Sequence, residues 1–92
     1  MKYVFGTAAL FMFAQTALAI PNPAAMYCTR TGGTYEVRTT TDGGQAGVCK
    51  FNQNDLASEC GDWAYFRHEC RPNQCAAWSV DTDSCVTPIP LQ

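Results

Sequence analysis

The chain has 92 residues, 47% hydrophobic and 15% charged, with six Lys+Arg against eight Asp+Glu and a formal net charge of −2. That length holds one small domain, and the acidic balance argues against the clustered basic surface on which nucleic-acid binding relies. Six cysteines in so short a chain point to a disulfide framework rather than to a cytosolic enzyme with one reactive thiol.

Residues 1–19, MKYVFGTAALFMFAQTALA, begin with a single Lys, continue through an apolar run from Tyr3 to Phe13 and end on the small-x-small triplet Ala17-Leu18-Ala19. This reads as a secretory signal peptide cleaved after Ala19 or nearby. A transmembrane helix is the alternative, but Gln15 and Thr16 cut the apolar stretch well short of the roughly 20 residues a span needs. Ile20-Pro21-Asn22-Pro23 has no cysteine, so no lipid anchor is expected at the mature N-terminus. Residues 20–92 then form one disulfide-rich domain of 73 residues (92 less 19), with five basic and eight acidic side chains. So short a chain buries too little apolar surface to fold securely without staples. Three disulfides at roughly 2–4 kcal/mol each would supply them.

Asn22-Pro23 makes a helix start, with Asn as cap and Pro at the first position, and Gly32-Gly33 ends it after about two turns. Ala24, Tyr27, Cys28 and Thr31 share one face, which turns Cys28 toward the core. Thr34 to Thr40 alternates Tyr35 and Val37 with Glu36 and Arg38, the period of a half-buried strand. Thr41-Asp42-Gly43-Gly44 is a hairpin turn. Gln45 to Phe51 returns as a second strand, with Cys49 and Phe51 on one face and Val48 and Lys50 on the other.

Asn52 to Asp55 reads as a polar loop, and Ser58 as the cap of a second helix running from Glu59 to Cys70. Trp63, Phe66 and Cys70 then fall at i, i+3 and i+7, which predicts that this stripe is buried and that Tyr65 is exposed. Arg71-Pro72 closes the helix. The remainder, 73–92, reads as an irregular tail tied by Cys75 and Cys85. The fold class is α+β: helix, β-hairpin, helix and stapled tail.

Cys28, Cys49, Cys60, Cys70, Cys75 and Cys85 form no C-x-x-C pair, which removes the spacing of thiol oxidoreductases and of structural zinc knuckles. Cys60, His68, Cys70 and Cys75 could imitate a metal set, but an exported chain favours oxidation. Six cysteines allow fifteen pairings. A local Cys75–Cys85 bridge is the favoured one, leaving Cys28, Cys49, Cys60 and Cys70 to join the first helix, the second strand and the second helix. No cofactor is expected.

His68 is the sole histidine, and none of Ser58, Ser79 and Ser84 lies in a nucleophile elbow. His68 reads instead as a helix C-terminal side chain favoured by the dipole, and no enzymatic activity is expected. Asp81-Thr82-Asp83-Ser84 begins like a calcium loop but lacks the glycine and the closing glutamate of an EF-hand, so it reads as a turn. Tyr65 and Trp78, one off the buried stripe and the other in the tail, are the candidate partner anchors.

The segments NPAAMYC, TGGTYEVR, DGGQAGVCKF and DWAYFRHEC, in this order between Asn22 and Cys70, resemble a family of small exported bacterial domains labelled haemolysins, domain of unknown function 333. The resemblance covers about 49 of the 73 mature residues and includes Cys28, Cys49, Cys60 and Cys70. It implies an exported fold without assigned catalytic or pore-forming residues. His68 stands where the family pattern has glycine, a longer Asn52–Leu56 loop replaces a Pro-Asp-Gly type turn, and Cys75 and Cys85 are additional. The expectation is a secreted or periplasmic, non-enzymatic interaction module, monomeric, engaging an unidentified protein or cell-envelope partner. A membrane-active haemolysin or toxin is the alternative, although the basic amphipathic helix that membrane lysis requires is missing and membrane insertion is not expected.

Overall fold

The computed structural model describes residues 22–90. The signal peptide expected at 1–19 lies outside them. The order of elements is α1 (Pro23–Arg30), β1 (Thr34–Thr39), β2 (Gln45–Gln53), β3 (Leu56–Gly61), α2 (Asp62–Phe66), β4 (Cys75–Ser79) and β5 (Ser84–Pro88). Strands β1, β2 and β3 form an antiparallel sheet in that order, and β4 and β5 form a separate two-stranded sheet. The mixed α+β class therefore holds, in a different arrangement from the one the sequence predicts.

The first half follows its local signals. Asn22 Oδ1 accepts from the backbone N–H groups of Ala24 (2.9 Å) and Ala25 (3.3 Å), satisfying two donors that the first turn leaves free. Gly32, at φ +100°, turns the chain out of α1. A β-carbon on Gly33 would sit 2.9 Å from Cys28 Sγ and closer still to Cys49 Sγ, so glycine there makes room for the Cys28–Cys49 bridge. The β1–β2 turn closes with Thr40 N–H donating to Gly44 O (2.8 Å), and Asp42 Oδ1 accepts from Gly44 N–H (3.0 Å) and the Thr40 hydroxyl. Thr34 pairs with Lys50, Tyr35 with Cys49 and Val37 with Gly47.

The second half corrects the prediction. Asn54 and Asp55, at φ +56° and +62°, make a two-residue turn with both central residues left-handed. Leu56–Gly61 then pairs with β2, Cys60 opposite Cys49 and Glu59 opposite Lys50, where the sequence suggested a helix capped by Ser58. Ser58 is a buried strand residue whose hydroxyl accepts from Asn73 N–H (3.0 Å). Helix remains only over Asp62–Phe66, too short to carry the Trp63-Phe66-Cys70 stripe to Cys70. The face it buries holds Ala64 and Tyr65 instead, while Trp63 and Phe66 are 43% and 38% exposed. The tail is ordered as the β4–β5 hairpin, with Trp78 opposite Cys85.

The bridges are Cys28–Cys49, Cys60–Cys70 and Cys75–Cys85. The first ties α1 to β2, the second ties β3 to the segment after α2, and the third lies within the tail as expected. Cys60, Cys70 and Cys75, members of the alternative metal set, are thus all oxidised. Five of the six cysteines join Phe51, Ala64 and Tyr65 in the main buried cluster, with Tyr27, Tyr35, Trp78 and Cys85 packed against it. Cystine sulfur takes much of the place that aliphatic side chains fill in larger domains.

Candidate functional site

The β4–β5 hairpin is fastened to the three-stranded sheet, and the seam between them is where the polar chemistry gathers. Arg38 on β1 donates from Nη2 to Glu59 Oε1 (2.8 Å) and from Nη1 to Glu59 Oε2 (2.9 Å), a two-pronged pair. Glu59 Oε2 also accepts from the Trp78 backbone N–H (2.7 Å), and Trp78 O accepts from Arg38 Nη1 (3.3 Å). One carboxylate therefore fastens β1, β3 and β4 together. The Arg38 guanidinium holds the Glu59 carboxyl below the ordinary carboxylate range, and Glu59 raises Arg38 further in turn. At the far end of the seam the Thr41 N–H donates to Asp81 Oδ1 (2.8 Å).

The Trp78 ring packs close against β3 at Gly61. A β-carbon at Gly61 would fall 2.6 Å from Trp78 Nε1, so a glycine is what permits the ring to settle there. Beside it, the Tyr35 hydroxyl donates to Asp62 Oδ2 (2.9 Å) and accepts from Asn22 Nδ2 (3.3 Å). Asp62 Oδ1 accepts from the Trp63 N–H (2.7 Å). Both the Tyr35 hydroxyl and Asp62 Oδ2 lie where a β-carbon on Gly47 would go. Burial raises the Tyr35 phenol above its ordinary value of 10.0, and the Asp62 hydrogen bond adds to the rise.

This network floors a cleft of about 450 Å³ walled by Trp63, Trp78, Val37, Val80 and Asp83. A second cleft of about 360 Å³ lies beyond, with Arg67, Glu69 and Gln74 on its lining. Trp78 and Asp83 stand on the lining of both.

Of the two anchors expected from sequence, Trp78 lines the cleft. Tyr65 does not: it is only 8% exposed, its ring packs on Phe51 (4.8 Å between centroids) and Tyr27 (5.0 Å), and its hydroxyl bonds Thr31 Oγ1 (2.7 Å). The exposed aromatic side chains of α2 are Trp63 and Phe66, packed edge to face at 5.5 Å. Asp62, Tyr35 and Glu59 passed unnoticed in the sequence. Asp62 falls inside the second helix that the sequence predicts, and an acid directly before the apolar run Trp63-Ala64-Tyr65-Phe66 is the available signal.

His68 stands on another flank, its ring edge-on to Tyr27 at 6.0 Å. The Ser58, Ser79 and Ser84 hydroxyls bond Asn73 N–H, Thr82 N–H and Thr82 Oγ1 respectively. His68 also has φ +65°, the left-handed position that ends α2, where a glycine would be unstrained.

These features define a small α+β domain stapled by three disulfides, with an accessory hairpin clamped to its sheet. Residues 19–69, 51 of the chain's 92, match the family described as a domain of unknown function (DUF333), and the chain belongs to that family. The match stops one residue before Cys70, so the hairpin that completes the cleft lies beyond it. No curated protein and no solved structure matches the chain.

Proposed function

We propose that the protein is an exported, non-enzymatic interaction module that presents the Trp63–Trp78 cleft to a protein or cell-envelope partner. The observation that carries this reading is the exposed Trp63 beside a partly buried Trp78 on a frame held by three bridges. Large, rigid aromatic side chains on a pre-ordered surface bind with little loss of conformational entropy. The Ser58 hydroxyl is bonded to Asn73 and those of Ser79 and Ser84 to Thr82, an engagement that agrees with a binding role. Three disulfides suit an oxidising compartment. No described helix is long and apolar enough to cross a membrane.

The test is photo-crosslinking. Purified oxidised protein carrying a photoreactive residue at position 63, or at Leu56 in the β2–β3 turn for comparison, is irradiated in cell-envelope extract. A discrete adduct from position 63, competed by unlabelled protein and not formed from position 56, supports the reading. Equal adducts from both positions, or none from 63, overturn it. Dye release from liposomes by the same protein would overturn it in favour of a membrane-active role.

A further inference from the structure

Asp62 is 7% exposed, yet its carboxylate is met only by neutral donors, the Tyr35 hydroxyl and the Trp63 N–H. Among the described residues the ion pairs are Arg38 with Glu36 and Glu59, Lys50 with Glu36, and Arg67 with Glu69, so Asp62 has no cation of its own. Removing a carboxylate from water without a counter-charge is costly, and a cation brought to it from outside gains more than one offered to a solvated surface acid.

Asp62 faces the larger cleft, whose lining includes Asp83 and no Lys, Arg or His. Arg67, near Asp83 on the side of the second cleft, is already held by Glu69 through Nε (3.1 Å) and Nη2 (2.9 Å). Two tryptophans stand on the same lining, and indole rings attract cations and cover the apolar stem of a basic side chain. Among the described residues no group of three or more Asp, Glu, His or Cys side chains could hold a metal ion, and the indole walls of the cleft offer a metal no oxygen ligand. The size of the cleft falls in the range that takes a side chain or a small ligand.

We propose that the cleft between Trp63 and Trp78 receives a basic side chain, Lys or Arg, projecting from the partner, with Asp62 and Asp83 as its counter-charges. The inference rests on the interaction reading above and names the chemistry the partner must present.

The test uses the purified oxidised protein and follows the indole N–H resonances of Trp63 and Trp78 by NMR. The probes are Nα-acetyl-lysine methylamide, Nα-acetyl-arginine methylamide and the lysine probe acetylated on its ε-nitrogen. Saturable shifts of both indoles with the charged probes, at least tenfold weaker with the ε-acetylated one, support the proposal. Asp83→Asn should weaken the charged probes about threefold or more. Asp83 is exposed at φ +53°, a conformation asparagine tolerates, so this variant folds and keeps the test decisive even where Asp62→Asn does not fold. Equal response to charged and neutral probes, or no saturable response, overturns the proposal. An adduct from position 63 together with silent basic probes overturns this inference alone. Binding of basic probes without any adduct overturns the module reading and leaves the cation site standing.

Discussion

Glu59→Gln tests whether the hairpin is held to the sheet electrostatically. Glu59 is 13% exposed on its side chain and accepts three hydrogen bonds, two from Arg38 and one from the Trp78 N–H. Hydrogen bonds to charged groups contribute about 1.5–3 kcal/mol each when removal strands a buried partner. Glutamine keeps one acceptor, and Arg38 retains Glu36 and some water, so the net loss should be about 2 kcal/mol. Urea denaturation at neutral pH reads this directly. A double-mutant cycle with Arg38→Met should give a coupling of about 1 kcal/mol or more. The acid limb sharpens the test. The folded-state pKa of Glu59 lies below its ordinary 4.5 because Arg38 stabilises the charged form. Its contribution is therefore present above the unfolded value and fades as pH falls through 4.5 toward the folded value. Glu59→Gln should flatten the stability-versus-pH curve in that window. An unchanged acid slope, or a coupling under about 0.3 kcal/mol, would refute the clamp.

Gly47→Ala puts a methyl group against the Tyr35 hydroxyl and Asp62 and should cost about 1–3 kcal/mol in urea denaturation, whereas a neutral result would mean the cleft floor is loosely packed. His68→Gly should leave stability unchanged or raise it by up to about 1 kcal/mol, while His68→Val, β-branched at a positive φ, should cost more than about 1 kcal/mol; the reverse order would contradict the strained position. Replacing both Cys28 and Cys49 by serine should destabilise by about 3.3 kcal/mol from a 21-residue separation, against about 2.7 kcal/mol for the 10-residue Cys75–Cys85 bridge, with fully buried positions widening the gap. Denaturation of the two double variants ranks them. Carbon-13 NMR titration of the Tyr35 ring should give a midpoint above 10, since its neutral form is favoured on folding; the corresponding stability is present below pH 10 and lost above it, and a midpoint at or below 10 would remove the buried hydrogen bond to Asp62 from the account.

The elements specified by neighbouring residues were legible in the sequence. Asn22 as cap, Gly32 at the end of α1 and Asp42-Gly43 in the first turn each act on a backbone group a few residues away, so α1, β1 and β2 follow from local chemistry. Strand β3 is masked in the sequence because Ser58 and Glu59 resemble a capped helix start and the Asn54-Asp55 turn resembles any polar loop. A long helix would put Trp63 and Phe66 on the buried stripe and Tyr65 off it, the reverse of what five helical residues do. The β4–β5 hairpin has little local signal, because its place is set by partners 19 and 40 residues away, Glu59 and Arg38 on Trp78. The cleft could not be seen for the same reason, since Tyr35, Asp62 and Trp78 meet only when both sheets are assembled. Trp78 was found from its tail position, and its role as a cleft wall depends on Gly61 beneath it.

The measurement that bears most directly on the account compares adduct formation from position 63 in the wild-type frame and in Glu59→Ala. Loss of Glu59 should release the hairpin while the Cys28–Cys49 and Cys60–Cys70 bridges keep the core folded, which amide exchange at Trp78 against Cys49 would report. The account predicts that the adduct falls at least tenfold as the hairpin loosens. An undiminished adduct from a protein whose hairpin has come free would contradict the claim that the seam between sheet and hairpin is the binding surface.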